Sequence, residues 1–537
     1  AEVGVPELLG ALQEQSERPP VLRQVPIREG ESVSGYIDLV HERAYQYKSG
    51  EASALIQIPE AMAEGEVQAR TELLEALADF DDDLLEQLLE DVIPPNEEVY
   101  AALHKDFSEG LLVPVLLGTA EQENGVRRLL KALRHDVPEA AETAARVGLG
   151  DDGDAVVQIL KTYNLPSSGK VSLARVWRGS LADGVSLAGQ RIGSINSMNG
   201  QTLTKIPKAE AGQIVALGRM EGVKTGQLLS TAGEMEAPEA LVVPVLEPVY
   251  AFAITAENRA DEVKLSGALH KLLEEDSSLS TVQDQEAHQH LLRGQGEMHL
   301  KVALDRLRNR FSLPLVTERP KIPYKETVRR PVERVQGRHK KQSGGHGQFG
   351  DVYIDVKPLP RGSGFEFKDS IAGGVVPKQY IPAVEAGARG YCKKGPLGFP
   401  VVDVSVNLVF GSFHAVDSSE MAFQTAGRIA MSEALPKCHP ILLEPISNVT
   451  VYVPNTFTPQ VQRLLSGRRA QILGLEAREG WNGWDQVTAL LPQSELADMI
   501  IELRSLSRGV GTYDYRFEHL QELSGKLADD VVAAAAE

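Results

Sequence analysis

The sequence predicts a multidomain protein of mixed α/β and β class, and three observations carry that prediction. The 537 residues amount to three or four domains at about 150 residues each. The spacing of apolar residues changes character along the chain, from helical repeats to short strands and then to strands alternating with helices. One six-element pattern, βαββαβ, occurs twice. Composition agrees, since 42% hydrophobic and 24% charged residues is the balance of a soluble globular chain. No apolar run approaches the ~18 residues that would span a bilayer, and AEVGVPELLG at the start has neither the basic nor the apolar region of a signal peptide. Cys392 and Cys438 lie far apart and form no C-x-x-C pair. That excludes a disulfide scaffold and a cysteine zinc site and fits a reducing, cytoplasmic location.

The elements follow in order. Over residues 1–150, EAMAEGEVQARTELLEALADFDDDLLEQLLEDV (60–92) places leucines at helical spacing. Pro94-Pro95 then punctuates, and NEEVYAALHKDF restarts a helix with Asn96 as N-cap. LLVPVLLGTA (111–120) reads as a buried strand entering a loop, followed by a helix over 124–135. Over 151–240, short strands such as VVQILKTY, KVSLARVWRG and QIVALG alternate with Gly, Pro and Asn turns, which predicts a β-barrel. Residues 241–319 carry the first βαββαβ pattern, from PVYAFAITA to LPLVTERP, and 441–524 carry the second, from SNVTVYVP to TYDYRFEHL. Between them, 320–440 is a further α/β domain, and 525–537 is an Ala-rich tail expected to fray.

Charge divides the chain further. The net charge is −20, and residues 1–150 alone hold 12 basic and 30 acidic residues. Residues 321–350 invert this, with Lys321, Lys325, Arg329, Arg330, Arg334, Arg338, Lys340 and Lys341 against Glu326 and Glu333. A uniformly basic nucleic-acid coat is excluded, whereas one local basic face remains.

That face leads into the glycine-rich stretch GGHGQFG (344–350). Gly345-x-Gly347-x-x-Gly350 matches the dinucleotide fingerprint only literally, because a strand, DVYIDVKP, follows it where a helix is required. The stretch reads instead as a hairpin tip whose backbone amides, beside Arg and Lys, suit close approach to phosphates. A mobile hairpin with no ligand is the equal alternative. His288 and His290 share a strand face by alternation, but no third metal ligand is near. GSFHAVDSSE (411–420) places His414 just before a helix capped by Asp417 or Ser418, which leaves His414 free for another role. No G-x-S-x-G elbow, no G-x-x-x-x-G-K-[ST] and no N-K-x-D occurs.

The stretches VPIREGESVSGYIDLV, LVPVLLGTAEQENGV, GQGEMHLKVALDRL, PKIPYKET, GRHKKQSGGHGQFGDV, GGVVPKQYIPAVEAG, GSFHAVDSSEMAF and RRAQILG stand in one collinear order. With them the chain resembles the translation elongation factor G family, in particular its elongation-factor-G-like bacterial paralogues. The resemblance implies a C-terminal remnant of a GTPase domain with an acidic helical insert (1–150), a β-barrel, a ferredoxin-like domain, a ribosomal-protein-like α/β tip domain and a second ferredoxin-like domain. It implies ribosomal translocation of tRNA and mRNA, coupled to hydrolysis of GTP with magnesium in an intact parent. The phosphate loop and catalytic residue would precede residue 1, so this chain alone is expected to hold no nucleotide, metal or catalytic residue. The alternatives are a non-enzymatic ribosome-binding protein and a recycling or protection paralogue. The family's guanine-base motif falls on Thr119 and Ala120. Its tip loops fall on 342–350 and 411–417, implying RNA contact by Arg338, Lys340, Lys341, Gln342, Ser343, Gly344, Gly345, His346, Gly347, Gln348 and His414. Implied partners are the ribosome, ribosomal RNA, the tRNA–mRNA duplex at the decoding site and ribosomal stalk proteins; membrane contact is not expected, and the protein is expected to be a monomer. The chain departs from the family pattern at the tip, where His346 and Phe349 replace the usual Arg and Tyr, and in a short GPL–GFP connection at 396–399.

Overall fold

The computed structural model describes residues 4–30, 32–48, 50–150, 153–285, 287–342 and 347–536. The chain divides into two compact units between Pro244 and Val245.

In the first unit, Pro20–Leu22 pairs in parallel with Val113–Val115. The stretch expected as a buried strand over 111–120 is thus three paired residues long, and Val113 is 41% exposed because this ribbon has no further strand beside it among the described residues. Gln24–Glu29, Ser32–Asp38, Arg43–Gln46 and Ala54–Ile56 form a four-stranded antiparallel sheet absent from the sequence-based expectation. Its signal is weak because a register shift at Ile27/Arg28 breaks the alternation, and its core is only Ile27, Ile37 and Ala44.

The helices Ala63–Ala78 and Asp82–Leu89 bury Leu73, Leu74, Leu77 and Leu84 against Val99, Ala102 and Leu103 of the helix Asn96–Glu109. Asp81 caps the second by accepting the Leu84 N–H at 3.2 Å. Asn96 is not a cap, because Pro95 already holds the extended N-cap conformation. Asn96 Oδ1 accepts instead from Arg70 at 3.2 Å. Two buried ion pairs, Arg23–Asp136 at 2.9 Å and Arg128–Asp38 at 2.8 Å, fasten the helix Val126–Asp136 to the strands. Beyond it, residues 156–235 form a seven-stranded antiparallel sheet with two two-stranded ribbons, around a core that includes Val157, Ile159, Leu181, Ile195 and Leu217.

In the second unit, Tyr250–Ala256, Ser280–Asp284, Gln289–Gly294 and Leu315–Glu318 pair in the order second, third, first, fourth, all antiparallel. The helices Glu262–Glu275 and Glu297–Phe311 cover one face through Leu269, Leu272, Leu300 and Leu307. Pro440–Pro454, Gln471–Ala477, Trp484–Pro492 and Thr512–Leu523 repeat that order, with Lys325–Val328 added beside the start of the first strand. The two repeats touch: Tyr513 Oη donates to Val249 O at 3.0 Å, and Arg504 donates to Gln295 O at 2.6 Å. His288 and His290 do not share a strand face, because His288 sits at φ 51 in the turn before Gln289.

Between the repeats, the hairpin strands Val332–Lys341 and Gln348–Pro358 continue into Val404–Ser412 and Phe365–Asp369, the last pair parallel. The helix Glu420–Ala434 lies on this sheet at backbone contact distance. A Cβ on Gly337 would stand 2.2 Å from Ala426 O, and one on Gly350 would stand 2.7 Å from Ala422 O. The helix answers with its own small face, Ala422, Ala426, Gly427, Ala430 and Ala434, all buried. The Ala-rich tail is helical over Lys526–Ala536, as a run of the strongest helix former allows.

Candidate nucleic-acid interface

The basic stretch becomes the long hairpin because Val335 and Gly337 alternate inward while Gln336, Arg338 and Lys340 alternate outward. Arg338 stands opposite Asp351, His339 opposite Gly350, Lys340 opposite Phe349 and Lys341 opposite Gln348. The Arg338 guanidinium lies 5.6 Å from the centre of the Phe349 ring, and His339 Nε2 lies 2.9 Å from Gln348 Oε1. Arg338, Lys340, Lys341, Gln342 and Gln348 are exposed. Ser343, Gly344, Gly345 and His346 lie outside the described residues.

The loop 411–419 is fastened to the hairpin by its own polar side chains. Asp417 Oδ1 accepts the Gly347 N–H at 3.1 Å, and Asp417 O accepts the Phe349 N–H at 2.8 Å. Ser418 Oγ donates to Phe349 O at 2.9 Å and accepts the His414 N–H at 2.9 Å. Neither residue is therefore the helix cap expected from sequence. Ser419 is, accepting the Ala422 N–H at 3.2 Å. A Cβ on Gly347 would stand 2.9 Å from Asp417 Cγ, so a side chain there would have to displace that carboxylate.

His414 is less free than the sequence implies. Its Nδ1 accepts the Asp417 N–H at 3.2 Å and lies 3.2 Å from Asp417 Oδ2, and its ring meets Phe349 edge-on at 6.4 Å. With Nδ1 committed to the loop, Nε2 is the nitrogen left for a ligand, and the side chain is 57% exposed. The site thus assembles Arg338, Lys340, Lys341, Gln342, Gly347, Gln348 and His414 at one end of one domain. The sequence reading missed Phe413, Val416 and Met421, which flank His414 and are 47%, 64% and 65% exposed. The signal of the first two was present in GSFHAV, a loop unusually apolar for its position. Burial pushes the two thiols of the domain core up, Cys392 to about 12 and Cys438 to about 11, which makes them chemically quiet.

Thr119 and Ala120 belong to the first unit. The Thr119 N–H and C=O pair with Asn124 at 2.9 and 3.1 Å, and Ala120–Gln122 is one turn of 3₁₀ helix. A nucleotide would need more than this turn. The sequence holds no phosphate-loop motif. No helix among the described residues is long and apolar enough to cross a membrane.

Three family models match the second unit: elongation factor G domain III over 245–319, domain IV over 320–439 and the elongation factor G C-terminus over 441–531. The chain is 53% identical over 527 residues to an elongation factor G-like protein of Synechocystis, covering 98% of this chain and 78% of that protein. A crystal structure of a Thermus thermophilus protein superposes with a TM-score of 0.80 at 35% identity, covering 99% of this chain and 78% of that one.

Proposed function

Because this chain belongs to the elongation factor G family, we propose that it acts on the ribosome through the tip of residues 320–440, promoting movement of tRNA and mRNA. One observation carries this reading. The hairpin and the loop 411–419 are joined into a single end by Asp417 and Ser418, and that end presents Lys340, Lys341, Gln342 and His414 outward. Cations there neutralise phosphates, and an imidazole can donate to a ribose hydroxyl or stack on a base. Asp417 is engaged by Gly347 and His414, so its carboxylate serves to join the two loops.

In this reading the partners are ribosomal RNA and the tRNA–mRNA duplex, with the acidic helical layer of the first unit turned toward protein. Coupling to GTP hydrolysis would require a phosphate loop, a motif that these 537 residues do not carry. Ribosome pelleting tests the proposal. The double variant Lys340→Ala/Lys341→Ala should bind more weakly at every salt concentration and with a log–log salt slope smaller by about 1–2 units. Unchanged affinity and slope would remove the tip from the interface.

A further inference from the structure

The first unit carries a polar cavity that the tip does not use. It lies between the four-stranded sheet of residues 24–56 and the start of the helix Val126–Asp136, and its volume is about 170 Å³. Thr119 and Ala120 do not line it, so it is separate from the guanine-base turn. The sheet has two faces. Ile27, Ile37 and Ala44 form its small core on one. Alternation puts Tyr36, Tyr45 and Tyr47 on the other, with Tyr36 opposite Tyr45 and the two rings stacked at 5.2 Å. Tyr47 meets Tyr36 at 5.6 Å. None of the three hydroxyls has a hydrogen-bond partner among the described residues. Burial pushes Tyr36 up to about 12, so its phenol keeps a proton to donate.

The other wall is charged against the local trend. Residues 1–150 hold 12 basic and 30 acidic residues, yet Arg127, Arg128, Lys131 and Arg134 fall within eight residues that include no acid. Two of them stand in the first turn of an 11-residue helix that has no acidic residue in that turn and no side-chain cap. Cations at the positive end of a helix dipole are unfavourable by themselves, whereas an anion there meets uncapped N–H groups. Gly125, at φ 78, fixes the helix start, since a Cβ would stand 2.4 Å from Leu117 O. Arg128 is nine-tenths buried on the lining and pairs with Asp38 at 2.8 Å, but its Nε has no hydrogen-bond partner among the described residues. Lys48 and Lys131, also on the lining, are exposed and have no carboxylate partner there. Of the carboxylates present, Asp38 is committed to Arg128 and to the Val40 and His41 amides, which leaves Glu51 and Glu123 against three exposed cations.

We propose that this cavity binds a small organic phosphate whose carbon part is planar. The phosphate sits at the helix start, between the uncapped N–H groups and the side chains of Arg127 and Lys131. The planar part lies against the tyrosine wall. The cavity is smaller than the ~300 Å³ at which drug-sized ligands begin, so its occupant is small. A bare inorganic anion would leave the tyrosines uncovered, and a neutral ring would leave the cations unpaired. The site is separate from the tip and does not rest on it.

Calorimetry on the full chain tests this with three probes: phenyl phosphate, inorganic phosphate and phenol. Phenyl phosphate should bind saturably, once per chain, with a micromolar to millimolar dissociation constant. Inorganic phosphate should bind roughly tenfold more weakly, and phenol should give no saturable heat. Lys131→Ala should weaken phenyl phosphate roughly tenfold, the loss of one charge-assisted contact, and Lys131→Arg should restore most of it. Tyr47→Leu should bring phenyl phosphate down to the level of inorganic phosphate. Lys131 is exposed, so a circular dichroism melt within a few degrees of the parent confirms that its loss of binding is not unfolding. Absence of saturable heat with phenyl phosphate overturns the proposal. Equal affinity for inorganic phosphate overturns it too, because the tyrosines would then have no role. Unchanged affinity in Lys131→Ala would place the binding elsewhere and likewise overturn it. None of these outcomes depends on whether tip variants alter ribosome binding.

Discussion

His414 shows how a single residue is divided between structure and function. Its Nδ1 receives the Asp417 N–H at 3.2 Å and so orders the loop, which leaves Nε2 for the RNA contact proposed above. His414→Ala should slow tRNA movement on ribosomes strongly, while the melting temperature stays within about 1–2 °C, because exposed substitutions usually change stability by under ~0.5 kcal/mol. A variant that melts several degrees lower, or that moves tRNA normally, would show that the loop contact is the residue's whole role. Glu326 is the opposite case, 1% exposed and packed inside the domain. Burial pushes its carboxyl from 4.5 up to about 7, even though the Leu397 and Phe399 amides donate to it at 3.0 and 3.2 Å. The folded state therefore holds a proton that the unfolded state has released. Stability contributed by that proton is complete below pH 4.5 and is lost as pH rises to about 7. At ~1.4 kcal/mol for each pH unit between the unfolded and folded values, the loss is on the order of 3 kcal/mol. Glu326→Gln should flatten the decline in urea midpoints across that window. An identical pH profile would show that Glu326 is ionised in the fold.

At the scale of elements, the tip domain depends on one helix pressed onto one hairpin. Gly337 and Gly350 allow the contact, and no rotamer change could make room for a Cβ, because the opposing atoms are backbone. Gly337→Ala should cost about 1–3 kcal/mol, the usual penalty for overpacking, read as a lower urea midpoint at unchanged slope. Stability equal to that of the parent would mean that the helix can slide. The loop before this helix also shows why its cap could not be chosen in advance. Asp417, Ser418 and Ser419 are all cap-forming residues in sequence. Contact with the hairpin takes Asp417 and Ser418, so capping falls to Ser419. Similarly, Asn96 is displaced from its cap by Pro95 and serves Arg70.

For the whole molecule, guanine nucleotide is the informative ligand. Phosphate binding needs a cradle of backbone N–H groups with a lysine and magnesium; the sequence carries no phosphate-loop motif, and the Thr119 backbone is already paired to Asn124. Calorimetry of this chain with GTP and magnesium should detect no submicromolar site; a site of that strength would require a phosphate cradle of another design.

Local residue spacing was enough for the elements whose period is long and regular: the leucine-spaced helices of 63–89, both βαββαβ repeats and the basic hairpin, because each writes its burial pattern along the chain. The sequence also determined the family, through motifs in collinear order. Tertiary structure decided the rest. The four-stranded sheet of 24–56 depends on pairing across a register shift that no local period encodes. The cap at Ser419 and the commitment of His414 Nδ1 to its own loop are choices between competing neighbours. Such choices are settled only when a partner surface arrives, because the polar groups involved have several equivalent local options and the fold satisfies one of them.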